Sequence, residues 1–151
     1  MMFSYTIKNR SVEEIVKVLT FLDPYTDKPF SFRDNKDKKS WPEKLAAKAN
    51  SIICSGDDDK TIGCMFFYDN DMAIKNREGF CVFFCVHPEY RRCGIASEII
   101  SRVKSHLKNK GIPFFKLKCA KYNIAALRVY LKNGFCIVDD DGRSFTMLSR
   151  N

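Results

Sequence analysis

A chain of 151 residues, 45% apolar and with 13 phenylalanines, can bury the core of one ordinary domain and is too hydrophobic to stay disordered. Its formal net charge of +8 favours an anionic partner, whether nucleic acid, a membrane surface or a phosphorylated small molecule, but the lysines are scattered as on any solvated surface. Seven cysteines, odd in number and without a Cys-x-x-Cys pair, lie mostly in apolar runs, so they read as reduced thiols of a cytoplasmic protein, and neither disulfides nor a metal site are expected.

Met1 to Arg10 lacks the apolar core of a signal peptide, and no apolar stretch reaches membrane-spanning length. Ser11-Val12-Glu13-Glu14 is a capping box ahead of Ile15, Val18, Leu19 and Leu22, which predicts a helix to about Leu22, stopped by Asp23-Pro24. Asp23 to Lys39 reads as a polar loop with aromatic anchors at Tyr25, Phe30 and Phe32. Ser40-Trp41-Pro42-Glu43 repeats the capping logic and predicts a second helix over roughly Pro42 to Asn50.

Strands follow at Ser51 to Cys54 and Thr61 to Tyr68, joined by a turn-rich hairpin connection. Asp69 to Glu78 reads as a loop. Gly79 to Val86 is apolar throughout and predicts a central strand covered on both faces. After Gly94, a stripe of Ile95, Ile99, Ile100, Val103 and Leu107 predicts a helix that Asn109, Gly111 and Pro113 end. Phe114 to Cys119 alternates as a strand, and the strand, helix, strand order makes it a parallel neighbour of the central one. Asn123 can cap a last helix carrying Ala126, Leu127, Tyr130 and Leu131, ended at Asn133-Gly134, and a hairpin of Phe135 to Val138 with Ser144 to Leu148 closes the chain. The fold class is therefore mixed α/β (α+β): one domain over residues 1–151, a mostly antiparallel sheet with one parallel pair, and about four flanking helices.

Between strand and helix stands Val86-His87-Pro88-Glu89-Tyr90-Arg91-Arg92-Cys93-Gly94-Ile95-Ala96. A helix start offers unpaired amides at the positive end of a dipole; Gly94 and small Ala96 admit a ligand to the main chain, and Arg91 and Arg92 add charged donors. The segment suits a pyrophosphate, or it is simply a tight turn with solvated arginines. With one glycine it fits neither a Walker loop nor a dinucleotide-binding Gly-x-Gly-x-x-Gly.

Arg91-Arg92-Cys93-Gly94-Ile95-Ala96 resembles the Arg/Gln-x-x-Gly-x-Gly/Ala signature of the GNAT superfamily of acyl-CoA-dependent N-acetyltransferases. Downstream, Asn123 to Phe135 resembles that family's Asn-x-x-Ala-x-x-x-Tyr-x-x-x-Gly-Phe segment, at the family's spacing. The resemblance implies acetyl-CoA as cofactor and a central strand that splays from its parallel neighbour near Cys85 and Val86, where the pantetheine arm pairs with its edge. It implies that the backbone of Arg91, Arg92, Cys93, Gly94, Ile95 and Ala96 holds the pyrophosphate, with a hydroxyl from Ser97. It further implies that Asn123 contacts the pantetheine or the acetyl end and that Ala126 and Tyr130 line the channel.

Transfer to an amine of pKa about 10.4 requires removal of a proton, a polarised thioester carbonyl and a proton for the leaving thiolate. The resemblance makes Tyr130 the candidate acid, with the amide near Val86 as polariser. Glu78 is the candidate base acting through water, and His87 reads as part of the turn. Tyr25, Phe30 and Phe32, with Trp41, are candidate walls for an acceptor that is a small-molecule amine or a protein amine. The resemblance implies direct attack in a ternary complex and leaves a homodimer open. Two rival readings remain: a non-catalytic acyl-CoA-binding regulatory module, and a nucleic-acid-binding protein, ranked last because no recognition helix or stacking platform is evident.

Overall fold

A computed structural model describes residues 2–26 and 35–151. The chain begins with a strand, β1 (Ser4–Lys8), that the sequence reading passes over. It is five residues long with a half-exposed pattern, and its identity comes from pairing antiparallel with β2 (Asn50–Ser55), from Ser4 opposite Ser55 to Lys8 opposite Ser51. Helix α1 (Val12–Leu22) starts as predicted: the Ser11 hydroxyl accepts from the Glu14 amide and the Glu14 carboxylate from the Ser11 amide, each at 3.2 Å. Its predicted stripe of Ile15, Val18, Leu19 and Leu22 is buried.

Helix α2 (Asn35–Lys48) begins well before the predicted start, so Ser40 is no N-cap and Pro42 lies inside the helix. A proline there forgoes the bond its amide would make to the Lys38 carbonyl, a cost of about 3 kcal/mol that tertiary packing must offset; its own ring is buried. Strand β3 (Thr61–Tyr68) has the predicted bounds and pairs antiparallel with β2. A short helix, α3 (Asp71–Asn76), occupies the segment read as a loop, capped by Asn70 Oδ1 accepting from the Ala73 amide at 3.1 Å. Six residues carry too little periodicity to announce a helix.

Strand β4 (Glu78–Val86) is central, but it alternates buried and partly exposed residues instead of being covered on both faces. Gly79, Cys81, Phe83 and Cys85 are buried, whereas Phe80, Val82, Phe84 and Val86 are partly exposed. An apolar run reports which residues avoid water, not how many layers cover them. Helix α4 (Ile95–Asn109), strand β5 (Phe114–Ala120), helix α5 (Ile124–Lys132) and the hairpin β6 (Cys136–Asp140) with β7 (Ser144–Arg150) follow. The described residues thus hold five α-helices, one more than the sequence suggests. The seven strands are ordered β1-β2-β3-β4-β5-β7-β6, with β4 and β5 parallel and the other registered pairs antiparallel. None of the helices is long and apolar enough to cross a membrane.

Two compact units divide the chain: Met1–Phe67 with Phe83–Ile95, and Tyr68–Val82 with Ala96–Asn151. In the first, Phe83 lies 6.2 Å from both Trp41 and Phe66, ring to ring. In the second, Ile99, Ile100, Val103, Leu107, Phe115, Leu117, Phe135 and Met147 are buried, and Phe135 stacks edgewise on Tyr130 and tilts over Phe115 at 5.7 and 5.8 Å. Leu131, one of the apolar residues that α5 carries, is 49% exposed. Gly79 admits Leu107: a Cβ there would meet Leu107 Cδ1 at 2.8 Å.

The β6–β7 turn carries a pH dependence. Asp141 Oδ1 accepts from the amides of Ser144 (2.7 Å) and Arg143 (2.9 Å), and these bonds hold its carboxyl below the ordinary 3.8. The neighbouring Asp140 is lowered first by Lys121 and then by the Gly142 amide. A depressed folded pKa means that the stabilisation is complete above 3.8 and is lost as pH falls through the lower folded value. Protection of the Arg143 and Ser144 amides against hydrogen exchange should therefore fall in acid, and Asp141→Ala should remove that dependence; constant protection through the acid range would contradict it.

Candidate active site

In the first unit, the end of β4 runs through a 3₁₀ turn, Pro88–Tyr90, into α4. The His87 amide donates to the Ile62 carbonyl at 2.8 Å, holding the strand end to β3. Its ring Nδ1 accepts from the Glu89 amide at 3.2 Å, so the neutral ring carries its proton on Nε2 and caps the turn. That ring is buried among Tyr25, Tyr90 and Phe21, at centroid distances of 4.5, 5.9 and 6.0 Å. His87 is thus built into the turn, as the sequence reading has it.

Arg91 does something the sequence did not announce. Its Nε donates to the Val86 carbonyl at 3.1 Å and its Nη2 to the Tyr25 carbonyl at 3.2 Å, while its amide is taken by the Pro88 carbonyl at 3.3 Å. The guanidinium therefore clamps the end of β4 to the turn that follows α1, where the sequence reading aims it at an anion. Cys85 is buried, its thiol 3.7 Å from the same Tyr25 carbonyl. Tyr25 itself lies over His87, 37% exposed. Of the other candidate walls, Phe30 and Phe32 lie outside the described residues, and Trp41 packs edgewise against Phe83.

Arg92 and Gly94 both adopt left-handed backbone, at φ 65° and 77°, with exposed Cys93 between them. For arginine this conformation costs roughly 1–2 kcal/mol, and glycine meets it without penalty. Two such residues reverse the chain sharply into α4. The amides of Ile95, Ala96 and Ser97 then form the first helical turn, which by construction has no intrahelical acceptor and sits at the positive end of the dipole. A Cβ on Gly94 would meet nothing within 4 Å, so the loop is open on that side. A loop of this shape, cationic at Arg92 and ending in free helical amides, fits a diphosphate.

In the second unit, Ser97 Oγ receives a hydrogen bond from Asn133 Nδ2 at 3.1 Å. Asn123 caps α5, its Oδ1 accepting from the Ala126 amide at 3.2 Å. Asn123 Nδ2 makes no hydrogen bond among the described residues, which leaves it as a donor suited to a carbonyl oxygen. Ala126 is partly exposed and Tyr130 is 8% exposed. Glu78 is answered by Lys116 Nζ at 2.9 Å, both side chains more than a third exposed. The parallel register of β4 and β5 extends over three pairs, Glu78–Phe80 opposite Phe114–Lys116, whereas β5 pairs with β7 along its whole length to Ala120.

None of the seven cysteines is in a disulfide, and five of them are buried. The roles of Arg91 as a clamp and of Asn133 as a partner of Ser97 were not read from the sequence. Only the capping position of Asn133 beside Gly134 was visible there.

Comparison with known proteins follows the same lines. No curated protein sequence matches the chain. Among solved structures, it is similar to the PaiA N-acetyltransferase of Thermoplasma acidophilum, in complex with coenzyme A, at 21% identity and a TM-score of 0.74 over 98% of this chain and 99% of that one. It is similar to the ribosomal-protein-S18-alanine N-acetyltransferase of Escherichia coli, at 14% identity and a TM-score of 0.74 over 97% and 94%. A GNAT-family acetyltransferase of Staphylococcus aureus Mu50 gives 15% identity and a TM-score of 0.75 over 99% of each. These likenesses establish the fold. The sequence profile of the Acetyltransferase (GNAT) family matches residues 15–135, from the core of α1 through the loop of Arg91 to Ala96 to Phe135, and the chain belongs to that family.

Proposed function

We propose that the chain transfers an acetyl group from acetyl-CoA to a primary amine by direct attack in a ternary complex. The observation that carries this reading is the left-handed pair Arg92 and Gly94 delivering the chain into the open first turn of α4, with the Ser97 hydroxyl one position on. The family match supports acyl transfer with amine acceptors. Because that match runs through both compact units, we read residues 1–151 as one acetyltransferase domain. We place it in a reducing, cytoplasmic setting, which suits an odd number of cysteines lying mostly in apolar runs.

Acetyl-CoA supplies an activated acetyl carbonyl and a thiolate leaving group. The amides of Arg92 to Ala96 and the Ser97 hydroxyl hold the diphosphate, and the Val86 amide polarises the acyl oxygen. Cys85 and Val86 offer the strand edge to the pantetheine arm, and Asn123 Nδ2 donates to one of its carbonyls. Ala126 and Tyr130 wall the channel, and the Tyr130 hydroxyl gives its proton to the departing sulfur. Glu78, already engaged by Lys116, takes the amine's proton through water. Orientation of both substrates in one ternary complex supplies much of the remaining acceleration. Tyr25 contributes to the acceptor wall.

A panel of small amines, amino sugars and peptides with free N-termini or lysines, read by thiol release from acetyl-CoA, tests the proposal. Turnover on one class identifies the acceptor. Tight coenzyme A binding without turnover on any class would instead identify a regulatory acyl-CoA-binding module.

A further inference from the structure

Asn133 is gripped from two sides by α4. Its carbonyl accepts from Lys104 Nζ at 3.1 Å, and its side-chain Nδ2 donates to Ser97 Oγ at 3.1 Å. Ser97 and Lys104 are seven residues apart, two turns along one face of the helix. Lys104 is fixed in turn by Ser149 Oγ of β7 at 2.7 Å and lies 5.7 Å from the Phe135 ring. Burial holds the Lys104 ammonium below its ordinary pKa. The Asn133 backbone ends α5, its amide shared between the Val129 and Tyr130 carbonyls at 3.1 Å each. The residue is therefore held at its main chain before its side chain does anything.

The orientation of that side chain follows from its second partner. The atom facing Ser97 also lies 2.7 Å from the Val129 carbonyl oxygen, which can only accept, so it is the amide nitrogen and not the oxygen. Ser97 must consequently accept from Asn133, spending a lone pair and keeping its proton. A serine in a helix can give that proton back to a carbonyl three or four residues earlier. Among the described residues no such bond is made by Ser97.

We propose that Asn133 is a positioning residue for diphosphate recognition: its Nδ2 holds Ser97 Oγ as an acceptor and thereby leaves the Ser97 hydroxyl proton for an anionic oxygen at the start of α4. The inference rests on the reading of α4 as the coenzyme A site. It assigns a task to the Asn of the Asn133-Gly134-Phe135 end of α5 that is separate from ending the helix. Aspartate at this position has the same shape and the opposite chemistry. It would accept the Ser97 proton, meet the Val129 carbonyl with a second acceptor, and set a negative charge beside the diphosphate.

The test is calorimetric titration of the full chain with coenzyme A and, separately, with S-acetylpantetheine, which lacks the diphosphate. Ser97→Ala should weaken coenzyme A binding about tenfold, the loss of one hydrogen bond to a charged group, and Asn133→Leu by a similar factor. The double variant should be no weaker than Ser97→Ala alone, because the two residues act through one hydroxyl. Asn133→Asp should be the weakest binder, and all variants should take S-acetylpantetheine as the wild type does. If Asn133→Leu weakens binding equally with or without Ser97, or weakens both ligands alike, Asn133 is only a helix cap and the proposal is overturned. Should Asn133→Leu fail to fold, the comparison of Asn133→Asp with Ser97→Ala decides: equal affinity overturns the proposal. Failure of the wild type to bind coenzyme A would remove the acetyltransferase reading itself and this inference with it, which is a separate result.

Discussion

Gly94→Val is expected to reduce coenzyme A affinity about a hundredfold or more, on the order of 3 kcal/mol, while the protein stays folded. Two features make the outcomes separable. A Cβ at this position meets nothing within 4 Å, so the first carbon of a new side chain has open space around it. The left-handed backbone at φ 77° nonetheless costs a β-branched residue roughly 1–2 kcal/mol, enough to lower Tm by several degrees and too little to unfold a domain of this size. The side chain would stand at the entrance to the first turn of α4, and its strain would rotate the amides it flanks. Calorimetric titration beside a thermal melt reads both effects. Wild-type affinity in a folded Gly94→Val protein would end the assignment of this loop to the diphosphate.

The second large effect concerns Tyr130. Tyr130→Phe removes one oxygen and leaves the ring, which is buried and packs edgewise on Phe135 at 5.7 Å, so the ring packing and coenzyme A affinity should hold. If the hydroxyl donates the proton to the leaving sulfur, kcat should fall about 10²- to 10⁴-fold, the usual range for a general acid. Steady-state kinetics on the best acceptor, together with a coenzyme A titration, measures this split. An unchanged kcat would reduce Tyr130 to a packing residue and pass the proton to solvent. A loss of coenzyme A affinity matching the loss of rate would point to a binding role instead.

Particular elements show where the sequence was legible. The Ser11–Glu14 capping box fixed the start of α1, and the isoleucine, valine and leucine stripe from Ile95 to Leu107 fixed the buried face of α4. Asn123 and Gly134 bounded α5. In each case the signal lies within one or two turns of the residue concerned, so local capping and periodicity suffice. Three elements escaped. β1 is an edge strand defined by its partner, 51 residues away where Ser4 faces Ser55; α3 is too short to show a period; and α2 runs through a proline that local rules place at a helix start.

The site divides in the same way. The chain's own letters determined that a strand hands over to a helix through a glycine, that two arginines stand there, and that an asparagine and a tyrosine follow at the family's spacing. Tertiary structure alone decided that β7 lies between β5 and β6, that the β4–β5 register covers three pairs, and that Phe84 and Val86 are partly exposed. It also decided that the Arg91 guanidinium closes on a carbonyl 66 residues away and that Asn133 reaches Ser97 across 36. The reason is the range of the forces involved. Caps and stripes are settled by neighbours along the helix, whereas a donor such as Arg91 takes whichever acceptor the folded chain brings within about 3 Å, and no local pattern records which one that is.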